Sequence, residues 1–506
     1  MRRRSFLATI GTGIAGISGC TGLNNTDNST TTPTRQETEQ TPTRTGGSPT
    51  PTSTPDTRDQ RDPSESPASV IESDTHLFTL ALSPTRLHTD DRAEVALWFD
   101  RTATTDHPAR ITGYLENRND FENTFQVTWI PIVGRTYSRQ PRGYGYEASL
   151  YAVPTKNNEI AEEVPDVSLT DDDHWVVEET GSWIPDLYRL DPGERVGLEY
   201  VLVGHPELEE RPTGTYEFRG RDEQIDVTLW ETDSPGPGAE SRFAGRSVPT
   251  IEEESSLQWF HEADETTGAY VEPSTERLEL DSLVEFEVVN HTHEVLRCGH
   301  WNLHKLVDSA WYHVGPFIHT ADCRALLPGG TKSWALRAFN GEPVRCGTSC
   351  GNSGFTRGFL GGGVYAVVAG YGHPEENSGS LIELLGEPVE FTVTADAVVE
   401  GDDDTVTVTT DRYGDDDHPP DASFALTRVD SADERVIPEQ IATGIDRGPT
   451  GERGLRNALA VMDSDVDRVI VRADEHVVDR TIEYDEDMKR FELRGQAYQV
   501  KRLSDE

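Results

Sequence analysis

One arrangement of residues occurs twice along this chain, and it restricts the fold more than any other feature. In the first copy a segment ending in asparagine, Gly113-Tyr114-Leu115-Glu116-Asn117, precedes Leu190-Asp191-Pro192-Gly193-Glu194, an apolar run over 196–202, and Pro212-Thr213-Gly214-Thr215-Tyr216-Glu217-Phe218. In the second, Phe286-Glu287-Val288-Val289-Asn290 precedes Leu327-Pro328-Gly329-Gly330-Thr331, then Trp334-Ala335-Leu336, then Gly361-Gly362-Gly363-Val364-Tyr365-Ala366-Val367. Each copy reads as a tight Pro-Gly turn feeding one strand, followed by a glycine turn feeding a strand that carries a tyrosine. The glycines suit turn positions with φ > 0. The tyrosine rings are predicted to pack between two sheets near a strand end. A repeat of this kind predicts two β-sandwiches in tandem.

The remainder of the chain beyond residue 69 has the same texture. Apolar segments are short, rich in Val, Tyr, Phe and Trp, and broken by Gly, Pro, Asn and Asp. Residues 77–82, 283–289, 364–369 and 389–394 read as strands, several with period-two alternation. Helical periodicity is scarce before residue 430. More than 400 residues suffice for two or three domains. The pattern divides them into a sandwich over 69–235 with an insertion over about 139–183, a second sandwich over 255–395, and a small α+β domain over 396–506. In the last, 405–410, 423–428 and 468–472 read as strands. Residues 454–462 read as a helix carrying Leu455, Leu459 and Met462, and 481–484 with 491–500 as a closing hairpin.

The order strand–Asn, strands with Trp, L-x-P-G–strand, G-x-Y–strand resembles bacterial immunoglobulin-like modules and is similar to the proteinase-inhibitor-type sandwich of bacilli. Trp301-Asn302-Leu303-His304-Lys305-Leu306 with Ala310-Trp311-Tyr312 fits the hairpin of that family. The resemblance spans 70–235 and 255–395. It implies a mainly β fold: two tandem Ig-like β-sandwiches followed by a small α+β C-terminal domain, after a disordered N-terminal stalk. Such sandwiches host unrelated roles, so the resemblance speaks to fold rather than function.

The first residues carry an address. Met1-Arg2-Arg3-Arg4 is positive, and 7–17 is apolar but too short for a membrane span. Arg3-Arg4-Ser5-Phe6-Leu7 is similar to a twin-arginine export signal. Ile17-Ser18-Gly19-Cys20 resembles a lipobox, which implies lipidation at Cys20 and a location at the outer face of the cell membrane. One acyl chain anchors only marginally, so two are expected there. Residues 21–68 are Thr, Pro, Ser, Gln and Asp with almost nothing apolar, and are predicted to form a disordered stalk. Asn24-Asn25-Thr26 and Asn28-Ser29-Thr30 are N-glycosylation acceptors in sequence.

The chain has 91 acidic against 45 basic residues, a formal net charge of -46, and only five of the basic residues are lysine. At ordinary ionic strength such a charge repels itself. At molar salt the Debye length falls to about 3 Å and the repulsion is screened. This composition is similar to that of extreme halophiles, and with the signal it resembles a haloarchaeal lipoprotein. The charge then describes the solvent, and it argues against nucleic acid or an anionic membrane surface as a partner. Asp171-Asp172-Asp173 and Asp402-Asp403-Asp404 read as solvated surface, since neither run has the spaced ligands and turn glycine of an EF-hand loop.

Besides Cys20 the chain has Cys298, Cys323, Cys346 and Cys350, all in the second sandwich. An even number in an exported protein reads as two disulfides. The strand order implied by the Ig-like resemblance gathers all four at one end and favours Cys298–Cys323 with Cys346–Cys350 among three pairings. The alternative is a metal or redox site. His291, His293, His300, His304, His313 and His319 crowd the same domain, and His291 and His293 would share one face of a strand. The candidate ligand set is His291, His293, His300 and His304. Cys346-x-x-x-Cys350-Gly351 resembles part of the dinuclear copper loop of cupredoxins, but Gly354 and Arg357 stand where that loop has His and Met. The only methionines are Met1, Met462 and Met488, which leaves no axial ligand for a blue-copper site.

No HExxH, P-loop or strand-borne GxGxxG occurs. His476 beside Asp474 and Glu475 reads as surface. The expectation is a non-enzymatic, surface-anchored lipoprotein without a cofactor, binding or supporting a cell-surface protein or glycan. Metal or redox handling and inhibition of exported proteases are the rival readings.

Overall fold

The computed structural model describes residues 65–251, 257–297, 301–316, 325–341, 354–369, 378–401, 404–414, 419–442, 453–482 and 486–503. Along Ala109–Asn117 and Arg195–Gly204 alternate residues turn inward: Ile111 and Leu115 from one strand, Val196, Leu198, Tyr200 and Leu202 from the other. A strand that alternates in this way can bury one face only, and must find a second sheet to cover it. The two strands pair antiparallel, with Arg195 opposite Glu116. Arg86–His88 and Ala93–Arg101 extend this sheet on one side. The covering sheet runs Ser69–Glu72, Phe78–Ser83, Gln224–Glu231, Gly214–Arg219. Leu82, Leu97, Phe125, Tyr216 and Phe218 lie in the shared core.

The insertion joins the first of these sheets. Its strands are Leu150–Pro154, Val167–Leu169 and Trp175–Val177, and Val153, Val177, Trp183 and Val203 form a small core of their own. The second sandwich sets Ala269–Pro273, Ser282–Asn290, Thr331–Ala338 and Gly354–Arg357 against a sheet of Gln258–Trp259, Ser378–Leu385, Gly363–Ala369, Trp301–Val307 and Ala310–Gly315. The chain is therefore mainly β, with two tandem sandwiches.

The repeat read from the sequence is a repeat of hydrogen bonds. Asn117 is fully buried; its Nδ2 donates to the carbonyls of Phe121 at 2.9 Å and of Leu190 and Asp191 at 3.1 Å, and its Oδ1 accepts from the Asn119 amide at 3.0 Å. Asn290, also fully buried, donates to Glu294 O at 2.9 Å and Leu326 O at 3.1 Å and accepts from the Thr292 amide at 3.1 Å. The turn glycines answer on the backbone: Gly193 N meets Asn117 O at 3.0 Å and Gly329 N meets Asn290 O at 2.7 Å. Both glycines have positive φ, 68° and 71°. The bonds align Leu190 with Leu326, one residue earlier than Leu327. Each tyrosine hydroxyl then donates 2.7 Å to the carbonyl four residues before it, Tyr216 to Pro212 and Tyr365 to Gly361. Both rings are fully buried in their cores.

Among the described residues the C-terminal domain is a six-stranded sheet in the order Val398–Gly401, Thr405–Thr409, Arg468–Asp474, Asp421–Arg428, Gln496–Leu503, Met488–Leu493, with three helices: α1 (Pro438–Ala442), α2 (Arg453–Val461) and α3 (Glu475–Ile482). Three expectations are corrected here. Residues 389–394 enter no ladder: Val389 packs with Phe359 and Ala442, and the Thr394 amide donates to Asn457 Oδ1 at 2.8 Å. Thr481 and Ile482 close α3 rather than open a hairpin, and the hairpin turns at Arg494-Gly495, both with positive φ. Asp474 is not surface: it is fully buried, caps α3 by accepting the Val477 amide at 2.9 Å, and pairs with Arg412 at 2.9 Å. His476 is exposed, as expected.

Helix α1 leaves its own domain's core. Ile437, just before it, belongs to the core of the second sandwich, while Ile441 belongs to that of the third domain. Glu439 pairs in a buried site with Lys305, accepts the Gly361 amide at 3.2 Å, and lies 3.4 Å from the Tyr365 hydroxyl.

Candidate functional site

The histidines proposed as ligands fall at different places. His291 and His293 follow the Ser282–Asn290 strand in a loop, so they do not share a strand face as a chelate would. Asn290 ends the strand by turning its side chain onto the following backbone. His291 stacks on Trp230 of the first sandwich, with centroids 5.2 Å apart and planes 6° from parallel, and its Nδ1 lies 2.7 Å from Pro235 O. Burial lowers its pKa and keeps it neutral at pH 7. His293 Nε2 stands 3.6 Å from Glu72 Oε1. A Cβ on Gly329 would come within 2.7 Å of Thr228 and 3.1 Å of Ala81, so only glycine lets this turn lie against the first sandwich. These residues form the seam between the two sandwiches.

His304 sits in the Trp301–Val307 strand beside His313, ring centroids 5.2 Å apart. Burial, and secondarily His313, push its pKa down to about 4. His313 Nε2 lies 3.2 Å from Asn302 Oδ1, and its carbonyl accepts from Gln440 Nε2 at 3.1 Å. Among the described residues no group of three or more His, Cys, Asp or Glu could hold a metal ion. Cys20, Cys298, Cys323, Cys346, Cys350, His300 and His319 lie outside the described residues. Among the described residues no helix is long and apolar enough to cross a membrane.

A cleft that the sequence did not announce opens at one end of the first sandwich, with a volume of about 480 Å³. Three loops far apart in the chain build it: Thr89, Asp90 and Asp91 from one, Gln126, Trp129 and Ile130 from the second, Arg221, Asp222 and Glu223 from the third. Trp129 ends a 3₁₀ turn, Val127–Trp129, anchored by the buried Val127. The Arg221 amide donates to Trp129 O at 3.1 Å, and a Cβ on Gly220 would lie 2.4 Å from the same oxygen, so glycine is required for the approach. The Trp129 side chain stays 47% exposed although Ile130 beside it is buried. Burial raises the pKa of Glu223. Chemically, the cleft presents one flat apolar ring, several carboxylate acceptors and a guanidinium.

No family model and no curated protein matches the chain. Among solved structures, a polysaccharide lyase is similar at 8% identity over 63% of this chain and 39% of its own, with a TM-score of 0.13. A membrane-anchored protein from Corynebacterium diphtheriae is similar at 7% identity over 81% of this chain and 83% of its own, with a TM-score of 0.14. A Bacteroides uniformis β-glucuronidase follows at 10% identity, 59% and 28% coverage and a TM-score of 0.12. The chain spans well under half the length of the lyase.

Proposed function

We propose that this protein is a lipoprotein exported by the twin-arginine route, anchored at the outer face of the membrane through Cys20, and that its Ig-like sandwiches bind a hydroxyl-rich glycan of the cell envelope without transforming it. The Trp129 cleft carries this reading. An open cleft of about 480 Å³ takes one or two sugar rings. An exposed indole offers a face for the apolar side of a pyranose, and the carboxylates at Asp90, Asp91 and Asp222 accept hydrogen bonds from its hydroxyls. The Thr/Pro-rich stretch after Cys20 is the spacer that holds the cleft away from the membrane. The acidic composition suits molar salt, and the four cysteines of the second sandwich pair as two disulfides under the oxidising conditions outside the cell.

Two variants separate the parts of this reading. Cys20→Ser moves the protein from the membrane fraction to the medium; retention in the membrane removes the anchor from the account. Trp129→Ala abolishes retention of the full chain on immobilised envelope glycan while its thermal unfolding stays unchanged. Equal retention of both proteins removes the cleft.

A further inference from the structure

Several arginines in this chain pair with carboxylates: Arg110 with Asp100, Arg118 and Arg195 with Glu116, and Arg412 with Asp474. With twice as many acids as bases, a partner is easily supplied. Arg211 has none. Its Nη2 donates to Trp175 O at 3.1 Å, and its Nε is sealed from solvent without an acceptor. The guanidinium borders a cavity of about 20 Å³ at one end of the first sandwich, between the two sheets. The polar lining is Ser73, Thr75, His76 and Asp173; the rest is apolar, with Phe78, Leu80 and Leu202 among it. Asp173 is an exposed residue whose carbonyl lies 3.0 Å from His76 Nε2, so that nitrogen carries the proton and donates it. His76 stacks on the buried His174 at 4.1 Å. Burial, reinforced by Arg211 and His76, holds His174 neutral, with its pKa down to about 4.

A guanidinium N–H sealed from water without an acceptor is costly. The cavity supplies room for one particle the size of a water molecule or a monoatomic ion, and is too small for phosphate, sulfate or a carboxylate ligand. Ser73 Oγ and Thr75 Oγ1 share one hydrogen bond at 3.0 Å, which leaves the proton of the accepting hydroxyl free for a further acceptor. The donors are thus a guanidinium N–H and one hydroxyl.

We propose that this cavity holds a chloride ion bound by Arg211 Nε and the Ser73–Thr75 hydroxyl pair. The ion would complete the coordination of a guanidinium that already holds the Trp175 carbonyl of the insertion. It thereby ties the Trp175–Val177 strand to the end of the sandwich.

The direct test is a crystal of the full chain grown with bromide in place of chloride. An anomalous peak beside Arg211 Nε is the expected result; a water there with no anomalous signal overturns the proposal. In solution, thermal unfolding of the full chain is compared in sodium chloride and sodium gluconate at equal ionic strength. Chloride is expected to give a saturable extra rise in melting temperature that Arg211→Gln abolishes. Equal stabilisation by the two salts overturns it. Should Arg211→Gln not fold, Ser73→Ala with Thr75→Val is expected to weaken the apparent chloride affinity by about tenfold, the worth of one hydrogen bond to a charge. An unchanged affinity would contradict the assignment.

Discussion

Asn117 and Asn290 hold equivalent turns, yet the strands around those turns are completed in different ways. In the first sandwich Gly214–Arg219, which carries Tyr216, ends its sheet and is bridged on its outer side by Arg139, while the strands of the insertion join the opposite sheet. In the second, the counterpart Gly363–Ala369 is flanked on both sides, by Ser378–Leu385 and Trp301–Val307, and a helix from outside the sandwich closes its end through Ile437 and Glu439. In both sandwiches the asparagine side chain ties the end of its strand to the following loop and to the start of the Pro-Gly turn. The strands beyond the turn are not tied in this way, and each sandwich recruits what its neighbours offer.

The sharpest way to break the comparison is at the helix that only the second sandwich has. Lys305→Met removes the cation paired with buried Glu439 and is expected to cost about 3–5 kcal/mol. Adding Glu439→Leu should recover most of it. Denaturant unfolding followed by hydrogen exchange should place the loss in the second sandwich and third domain, with the first sandwich protected.

Next come the asparagines. Asn117→Ala and Asn290→Ala each remove two or more side-chain hydrogen bonds to backbone carbonyls and one from a backbone amide, an expected loss of about 2–4 kcal/mol. Similar losses support one framework used twice; a loss at only one site divides the sandwiches into unrelated turns.

Asp226 gives the first sandwich a dependence on pH. It lies on the strand opposite Ser83, and burial pushes its carboxyl from 3.8 up to about 6, against the hydrogen bond from Gln224 at 2.6 Å. The folded state holds the proton more tightly than the unfolded one. Its contribution is therefore complete below pH 3.8 and is lost as pH rises to about 6. Asp226→Asn should raise stability by about 1–3 kcal/mol at pH 7 and leave it unchanged at pH 3. A pH-independent effect would contradict this assignment.

The smallest effects concern the tyrosines. Tyr216→Phe should cost about 1 kcal/mol for its single bond to Pro212 O. Tyr365→Phe should cost somewhat more, since that hydroxyl also reaches Glu439.

The turns could be read from the chain because their parts are local and chemically unusual: a strand-ending Asn, a Pro-Gly pair, a Tyr after glycine. The strands at 405–410, 423–428 and 468–472 and helix α2 followed from the sequence pattern in the same way. Helix α3 escaped because its start depends on Asp474, which in sequence looks like one more acid among many and in three dimensions is a buried cap. The role of Lys305 escaped too, since its partner Glu439 stands 134 residues away. The Trp129 cleft and the Arg211 cavity are assembled from segments separated in sequence, and no short window contains either.

The central claim is that one hydrogen-bonded framework holds both sandwiches. Hydrogen exchange of the turn amides in the full chain tests it most directly. Asn117→Ala should release protection at Gly193, Asn290→Ala should release it at Gly329, and each should leave the other turn slow. Undiminished protection at both glycines would contradict the claim.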